Sequence, residues 1–313
     1  MRPVQTTTLG ATGLRVSRVA LGCARLGTLV RGPDAVDLVK TAYDVGITFF
    51  DTADVYGDGD SERLLGTALE GVRDMCVVAT KFRHARAHPG ASRRSIRLAL
   101  EGSLTRLRTD HVDLYQVHAP DPTTPVEETV GALQDLVAAG KVLYYGLCNV
   151  APWEVVDAQR VAWAAHRAPL ASVQTQLNLV DARAFEELRR VSDLFGVGLL
   201  AASPLARGLL AGRYDRDRPP PPGHPLVTAK GAGFWTAKGQ AVADRVRTLA
   251  ADRGVPPAHV ALAALLTHPQ VSAVLVGASD ADQVRANSDL PPDLLDEADV
   301  RYLTGLSEDL THH

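Results

Sequence analysis

Four residues of this chain could share one piece of chemistry: Asp51, Tyr56, Lys81 and His118. The first two lie in the stretch FFDTADVYGDGDSE (residues 49–62), Lys81 ends VVATK, and His118 ends VDLYQVH. A phenol with a pKa of about 10 is a poor proton donor at neutral pH. A neighbouring ammonium favours the phenolate, so Lys81 would lower that pKa and make Tyr56 a competent general acid or base. Asp51 would keep Lys81 charged and oriented, and His118 would donate a hydrogen bond to a carbonyl oxygen. That set protonates an oxygen while hydride reaches the carbon. Taken singly, each residue has a plainer reading. Asp51 could cap a loop, Tyr56 could pack with a satisfied hydroxyl, and His118 could be a core histidine. Lys81 could snorkel from a strand end or form a Schiff base, as in a barrel aldolase.

Only a scaffold that brings the four together favours the joint reading, and the chain is patterned for one. A short N-terminal pair of segments (Gln5–Leu9, Leu14–Ser17) precedes an alternation of strand-like and helical runs. The strands read Val19–Leu21, Thr48–Phe50, Cys76–Thr80, Val112–Val117, Tyr144–Leu147, Ser172–Gln176, Gly198–Ala202 and Ala273–Val276. Most are short and apolar on both faces, as in strands buried between helices and a packed interior. Helices are expected between them, opened by Pro33, Ser61, Ser92 or Pro125 and closed before Gly46, Gly140 and Gly196. Two more follow the seventh strand (Lys238–Arg253, Pro257–Leu266), and another ends the chain (Leu294–Leu306).

Eight strands, each followed by a helix, predict an α/β fold of the (β/α)8 TIM barrel type. An N-terminal β-hairpin and extra helices after strand 7 and at the C-terminus complete it, in one domain over residues 1–313. A doubly wound open sheet is the rival, and it needs a glycine-rich phosphate turn after a strand. The one GxGxxA match, Gly196–Ala201, precedes its strand and so fits a helix stop better. In a barrel, residues at the C-terminal strand ends face a common site. Asp51 and Tyr56 follow the second strand, Lys81 the third, and His118 the fourth. Neighbouring parallel strands lie about 4.8 Å apart, so the four can converge.

Composition narrows the class. The 313 residues are 22% charged with a formal net charge of −3, and no dense basic run suggests nucleic acid. The cluster Lys81–Arg83–His84–Arg86–His88 is too short for that. No signal-peptide pattern opens the chain, and no apolar run reaches a membrane span. Cys23, Cys76 and Cys148 form neither a CxxC pair nor a zinc spacing, so no metal is expected. They fit reduced thiols in a cytoplasmic protein.

The stretch FFDTADVYGDGDSERLLGTAL resembles the aldo-keto reductase signature, and TTTLGATGLRVSRVALG resembles the opening of bacterial members. VVATK, VDLYQVHAPDP, GKVLYYGLCN, VQTQLNL, SPLARGLLAGRY and VLVGASDADQVRAN follow in family order, covering residues 5 to 290. The resemblance implies a barrel that binds NADPH in extended form without a dinucleotide-binding glycine motif. It further implies Asp51, Tyr56, Lys81 and His118 as the catalytic tetrad, with Tyr56 the proton donor. Gly22, Cys23 and Asp51 line the cofactor at the barrel mouth in this reading, while Asn149 and Gln174 match the pair holding the nicotinamide carboxamide. Cys148 replaces the usual serine, which weakens one hydrogen bond. Ser203, Leu205 and Arg207 match the loop over the pyrophosphate, but Ala202 stands where many members stack an aromatic ring. Gly277, Ser279, Gln283 and Asn287 match the adenosine end. The lysine and arginine that grip the 2′-phosphate elsewhere in the family are missing there, so NADH stays open beside NADPH, and Arg207 is a candidate source of the charge.

Substrate contacts are expected from Arg25, Tyr56, Phe82, Arg83, His118 and Trp235, and from the stretch 212–235. A polar, basic mouth suits a polar or sugar-like carbonyl as well as it suits plain surface charge. A protein of another class, a regulatory cofactor-binding protein with negligible turnover, has the same fold among potassium-channel β subunits. A Schiff-base aldolase using Lys81 is the other alternative.

Overall fold

The structure, a computed structural model, describes residues 2–215, 217–224, 226–228 and 233–304. Strands β1 (Thr6–Thr8) and β2 (Arg15–Ser17) pair antiparallel as a hairpin. The remaining eight strands are parallel: β3 (Val19–Gly22), β4 (Phe49–Asp51), β5 (Val77–Phe82), β6 (Val112–Val117), β7 (Val142–Cys148), β8 (Ser172–Gln176), β9 (Gly198–Ala202) and β10 (Val271–Val276). They pair in chain order, and β10 closes on β3, giving the (β/α)8 barrel.

Six helices connect successive strands up to β9: α1 (Gly32–Asp44), α2 (Asp60–Ala68), α3 (Arg93–Leu107), α4 (Val126–Ala138), α5 (Pro152–Ala164) and α6 (Arg183–Phe195). Two helices, α7 (Ala237–Arg253) and α8 (Pro257–Leu266), lie between β9 and β10; α9 (Ala281–Ser288) and α10 (Glu297–Thr304) follow β10. The expected last helix extended to Leu306, whose final residues lie outside the described ones. Local chemistry sets the ends. Ser92, Thr236 and Asp280 each accept a backbone N–H two or three residues into their helices, and Gly196 ends α6 in the left-handed conformation. Among the described residues no helix is long and apolar enough to cross a membrane.

Side-chain alternation along the strands makes two apolar layers. Ala20, Phe49, Ala79, Leu114, Leu200 and Ala273 fill the barrel interior, and the hairpin's Leu9 and Val16 plug its lower end. Their neighbours Leu21, Phe50, Val78, Tyr115, Val173 and Val274 face outward beneath the helices. The same parity fixes the upper rim. Gly22 pairs with Asp51, Lys81 with Gln116, and Cys148 with Gln174, all in phase with inward positions.

Four strands, β3, β4, β5 and β7, run further toward the rim than their sequence suggests. β4 ends on Asp51 itself, and β5 continues through Lys81 to Phe82, because that segment stays paired with Gln116 and Val117 of β6. The continuation corrects one expectation. With Lys81 pointing in, Phe82 must point out. It is fully buried and stacked on Tyr115, ring centroids 4.7 Å apart, so it belongs to the outer core and not to a substrate pocket.

Candidate active site

Lys81 and Asp51 meet at the barrel's upper rim without access to solvent, with Nζ 2.5 Å from Oδ1. Nζ also donates to the Thr52 carbonyl at 2.9 Å. The other carboxylate oxygen, Oδ2, accepts from Gln174 Nε2 at 2.9 Å and from Gln116 Nε2 at 3.2 Å. Burial opposes the ammonium, but Asp51, Tyr56 and Cys148 together outweigh it and hold the Lys81 pKa above its ordinary value. The lysine is therefore a fixed positive charge.

Tyr56 lies over that charge, with Nζ 5.2 Å from the ring centroid. It is carried by a tight turn, Tyr56–Gly59, in which Gly57, Asp58 and Gly59 all have positive φ. A Cβ on Gly59 would come within 2.7 Å of Arg106, whose Nε passes beneath the turn to the buried Glu62 at 2.6 Å. Glycine here lets the turn sit directly on an ion pair. Burial raises the Tyr56 pKa, Lys81 lowers it and Asp51 raises it again, for a net upward shift. This corrects the expectation of a lowered value: the lysine offsets the desolvation of the phenol without overcoming it.

His118 stands edge-on to Tyr56, ring centroids 5.8 Å apart. Burial, then Lys81, His84 and Arg83, push its pKa down to about 3, so the imidazole is neutral. Its Nδ1 is buried without a hydrogen-bond partner among the described residues. His84 lies 5.0 Å from the same ring, with Arg83 beside it in a positive-φ conformation (φ 107°). Arg83, His84 and His118 thus gather where a basic mouth was expected.

A cleft of roughly 540 Å³ opens above the rim. Gly22, Cys23, Arg25, Asp51, Tyr56, Gln174, Ser203, Leu205, Arg207, Gly277, Gln283 and Asn287, all expected site residues, line it, as do Arg213 and Pro256. Ser279 reaches the site through a hydrogen bond from Arg25. Asn149 is turned by a positive φ and donates to the His118 carbonyl at 3.0 Å. Cys148 is a buried thiol 3.7 Å from Gln116 Oε1, and burial raises its pKa. Trp235 is half-buried against the apolar cluster of α7 and α8, apart from the cleft lining.

Two residues that position the site escape a reading of the sequence. Gln116 bridges Asp51 and Cys148, and Gly146 makes room for it, since a Cβ there would fall 3.2 Å from Gln116 Cγ and 2.4 Å from Ser172 Oγ. The signal was a glutamine in an apolar strand, two positions before His118 and so on the same face. Asn178, fully buried, donates to the Ser203 carbonyl at 3.2 Å and holds the turn after β9.

The cleft's groups fit a long polyanion with a planar amide-bearing end. Arg25, Arg207 and Arg213 line it, and among the described residues none of the three forms a salt bridge. Arg207 Nε is buried without a partner among the described residues. Uncharged amides (Gln174, Gln283, Asn287) line it as well, with Asp51, whose carboxylate holds Lys81 behind it. A nicotinamide dinucleotide has that charge and shape.

Comparison with known proteins agrees. The aldo/keto reductase family model matches residues 18–308. An uncharacterized oxidoreductase, YrpG, of Bacillus subtilis is 35% identical, covering 96% of this chain and 95% of its own. A probable aldo-keto reductase 1 of Glycine max is 33% identical over 96% and 88%. A putative voltage-gated potassium channel subunit beta of Schizosaccharomyces pombe is 33% identical over 89% and 86%. The chain therefore belongs to the aldo/keto reductase family and is an NAD(P)H-dependent oxidoreductase of carbonyl compounds.

Proposed function

We propose that the protein reduces a polar or sugar-like aldehyde or ketone with NADPH, and that Tyr56 delivers the proton. The observation carrying this reading is the Asp51–Lys81 pair buried under the Tyr56 ring, with a neutral His118 at its edge. A bound nicotinamide supplies the hydride. The residues supply everything else. His118, uncharged near neutral pH, has one N–H to direct at the substrate oxygen and cannot itself be the acid. Tyr56 is fully protonated at that pH and hands its proton to the oxygen as negative charge develops there. Lys81 then stabilises the phenolate left behind, and Asp51, steadied by Gln116 and Gln174, keeps the ammonium in place. Arg83 and His84 give the mouth its preference for oxygen-rich or anionic substrates.

A panel of sugar-derived, dicarbonyl and simple aromatic aldehydes, followed by NADPH oxidation, tests the proposal. Turnover highest for the polar or anionic members supports it, and highest for apolar aromatics refutes the substrate class. The potassium-channel relative favours a second reading, a cofactor-binding regulatory protein. NADPH binding with no oxidation across the panel would select that one.

A further inference from the structure

The cleft's three arginines, none in a salt bridge among the described residues, come from two β/α loops. Arg207 and Arg213 belong to the turn after β9, whereas Arg25 ends the short turn after β3 on the other side. Arg25 is anchored there: its Nη1 donates to Ser279 Oγ, and its Nε lies 3.7 Å from where a Gly277 Cβ would stand. The Ser279 backbone N–H in turn donates to Gln283 Oε1 at 3.1 Å, so the guanidinium is tied to the start of α9. At the N-terminus of α9, Asp280 already accepts the Gln283 N–H at 2.8 Å, so one of the free N–H groups there is taken and a carboxylate stands beside it. Positive charge on this wall comes from Arg25. Burial and the facing Arg213 both lower the Arg25 pKa, and the same two arginines depress His224 after burial does. Arg25 and Arg213 thus face each other, and neither forms a salt bridge among the described residues.

The direction of the cleft assigns these charges. With the nicotinamide placed at Asp51, Tyr56 and Gln174, as the proposed function has it, the lining left for the adenosine end is Pro256, Gln283 and Asn287. Resting on the cofactor reading above, we propose that Arg25, locked onto Ser279, recognises the ribose 2′-phosphate of the dinucleotide, while Arg207 and Arg213 hold its pyrophosphate. Selectivity for the phosphorylated cofactor is then carried by the first β/α loop. An arginine fork suits a terminal phosphate, and a guanidinium already held by a serine loses little freedom on binding.

Calorimetric titration of the full chain with two fragments, adenosine 2′,5′-bisphosphate and adenosine 5′-monophosphate, tests this without catalysis. The bisphosphate should bind the wild type about 10- to 100-fold more tightly than the monophosphate. Arg25→Gln should abolish most of that ratio while shifting the monophosphate by less than about twofold. Ser279→Ala, which removes only the anchor, should reduce the ratio part-way. Arg213→Gln should weaken NADPH and NADH by similar factors. Equal losses for both fragments in Arg25→Gln would move Arg25 to the pyrophosphate and overturn the assignment, as would no loss for either. Failure of the wild type to bind NADPH and NADH at all would instead overturn the cofactor reading on which the proposal rests.

Discussion

Replacing Lys81 with methionine would remove one half of an ion pair whose side chains are 0% and 4% exposed. Breaking a buried pair from one side costs about 3–5 kcal/mol, because the surviving charge stays desolvated. The surroundings place each variant within that range. After Lys81→Met, Asp51 Oδ2 still accepts from Gln116 and Gln174 at 3.2 and 2.9 Å, so the loss should be about 3 kcal/mol. After Asp51→Asn, the ammonium keeps the Thr52 carbonyl at 2.9 Å but no counter-charge, and the loss should approach about 5 kcal/mol. The double variant buries no charge, and its asparagine oxygen still accepts from the two glutamines. It should cost about 1–2 kcal/mol, far below the sum of about 8. Urea denaturation at pH 7, analysed with a common slope, measures all three. Carbonyl reduction should be lost in each, including the stable double variant, which separates chemistry from folding. A double variant as unstable as the sum of its parts would refute the coupling on which the Tyr56 assignment depends.

Asp54 offers a second test. It is buried under the Tyr56 turn, with Glu62, Arg106 and Lys81 as its charged neighbours and no hydrogen-bond partner for either carboxylate oxygen among the described residues. Burial first, then Glu62, raises its pKa to about 7, so the folded state holds this proton more tightly than the unfolded chain does. Its contribution to stability therefore declines as pH rises from about 4 to about 7. Asp54→Asn should remove that part of the pH dependence of Tm and gain most at pH 8; parallel Tm curves for both proteins would contradict it. Because Tyr56 is raised above its ordinary value and His118 lies near 3, kcat/KM for reduction should be level from pH 6 to 9 and fall only at higher pH. An inflection near pH 6–7 that disappears in His118→Gln would show a titrating His118 and overturn its neutral role.

The tetrad was legible in the sequence because strand ends in a barrel are a shared address, and FFD, VVATK and VDLYQVH each carry one polar residue to it. Strand parity reaches further: Lys81 facing inward forces Phe82 outward, away from the pocket, and His118 facing inward puts Gln116 on the same side, beside Asp51. The sign of the Tyr56 shift was not legible, since it depends on how deeply the phenol is buried, a property of the whole rim. Nor was the link from Arg25 to Ser279, which joins residues 254 positions apart where β10 closes on β3. The stretch 212–235 has no period to read.

The central claim is that Tyr56 is the proton donor, and a single substitution reaches it. Tyr56→Phe keeps the ring over Lys81 and removes only the hydroxyl. Stopped-flow reduction with saturating NADPH should show unchanged quenching on cofactor binding and a hydride-transfer rate lower by about 10²-fold or more. Unchanged turnover in that variant would contradict the account.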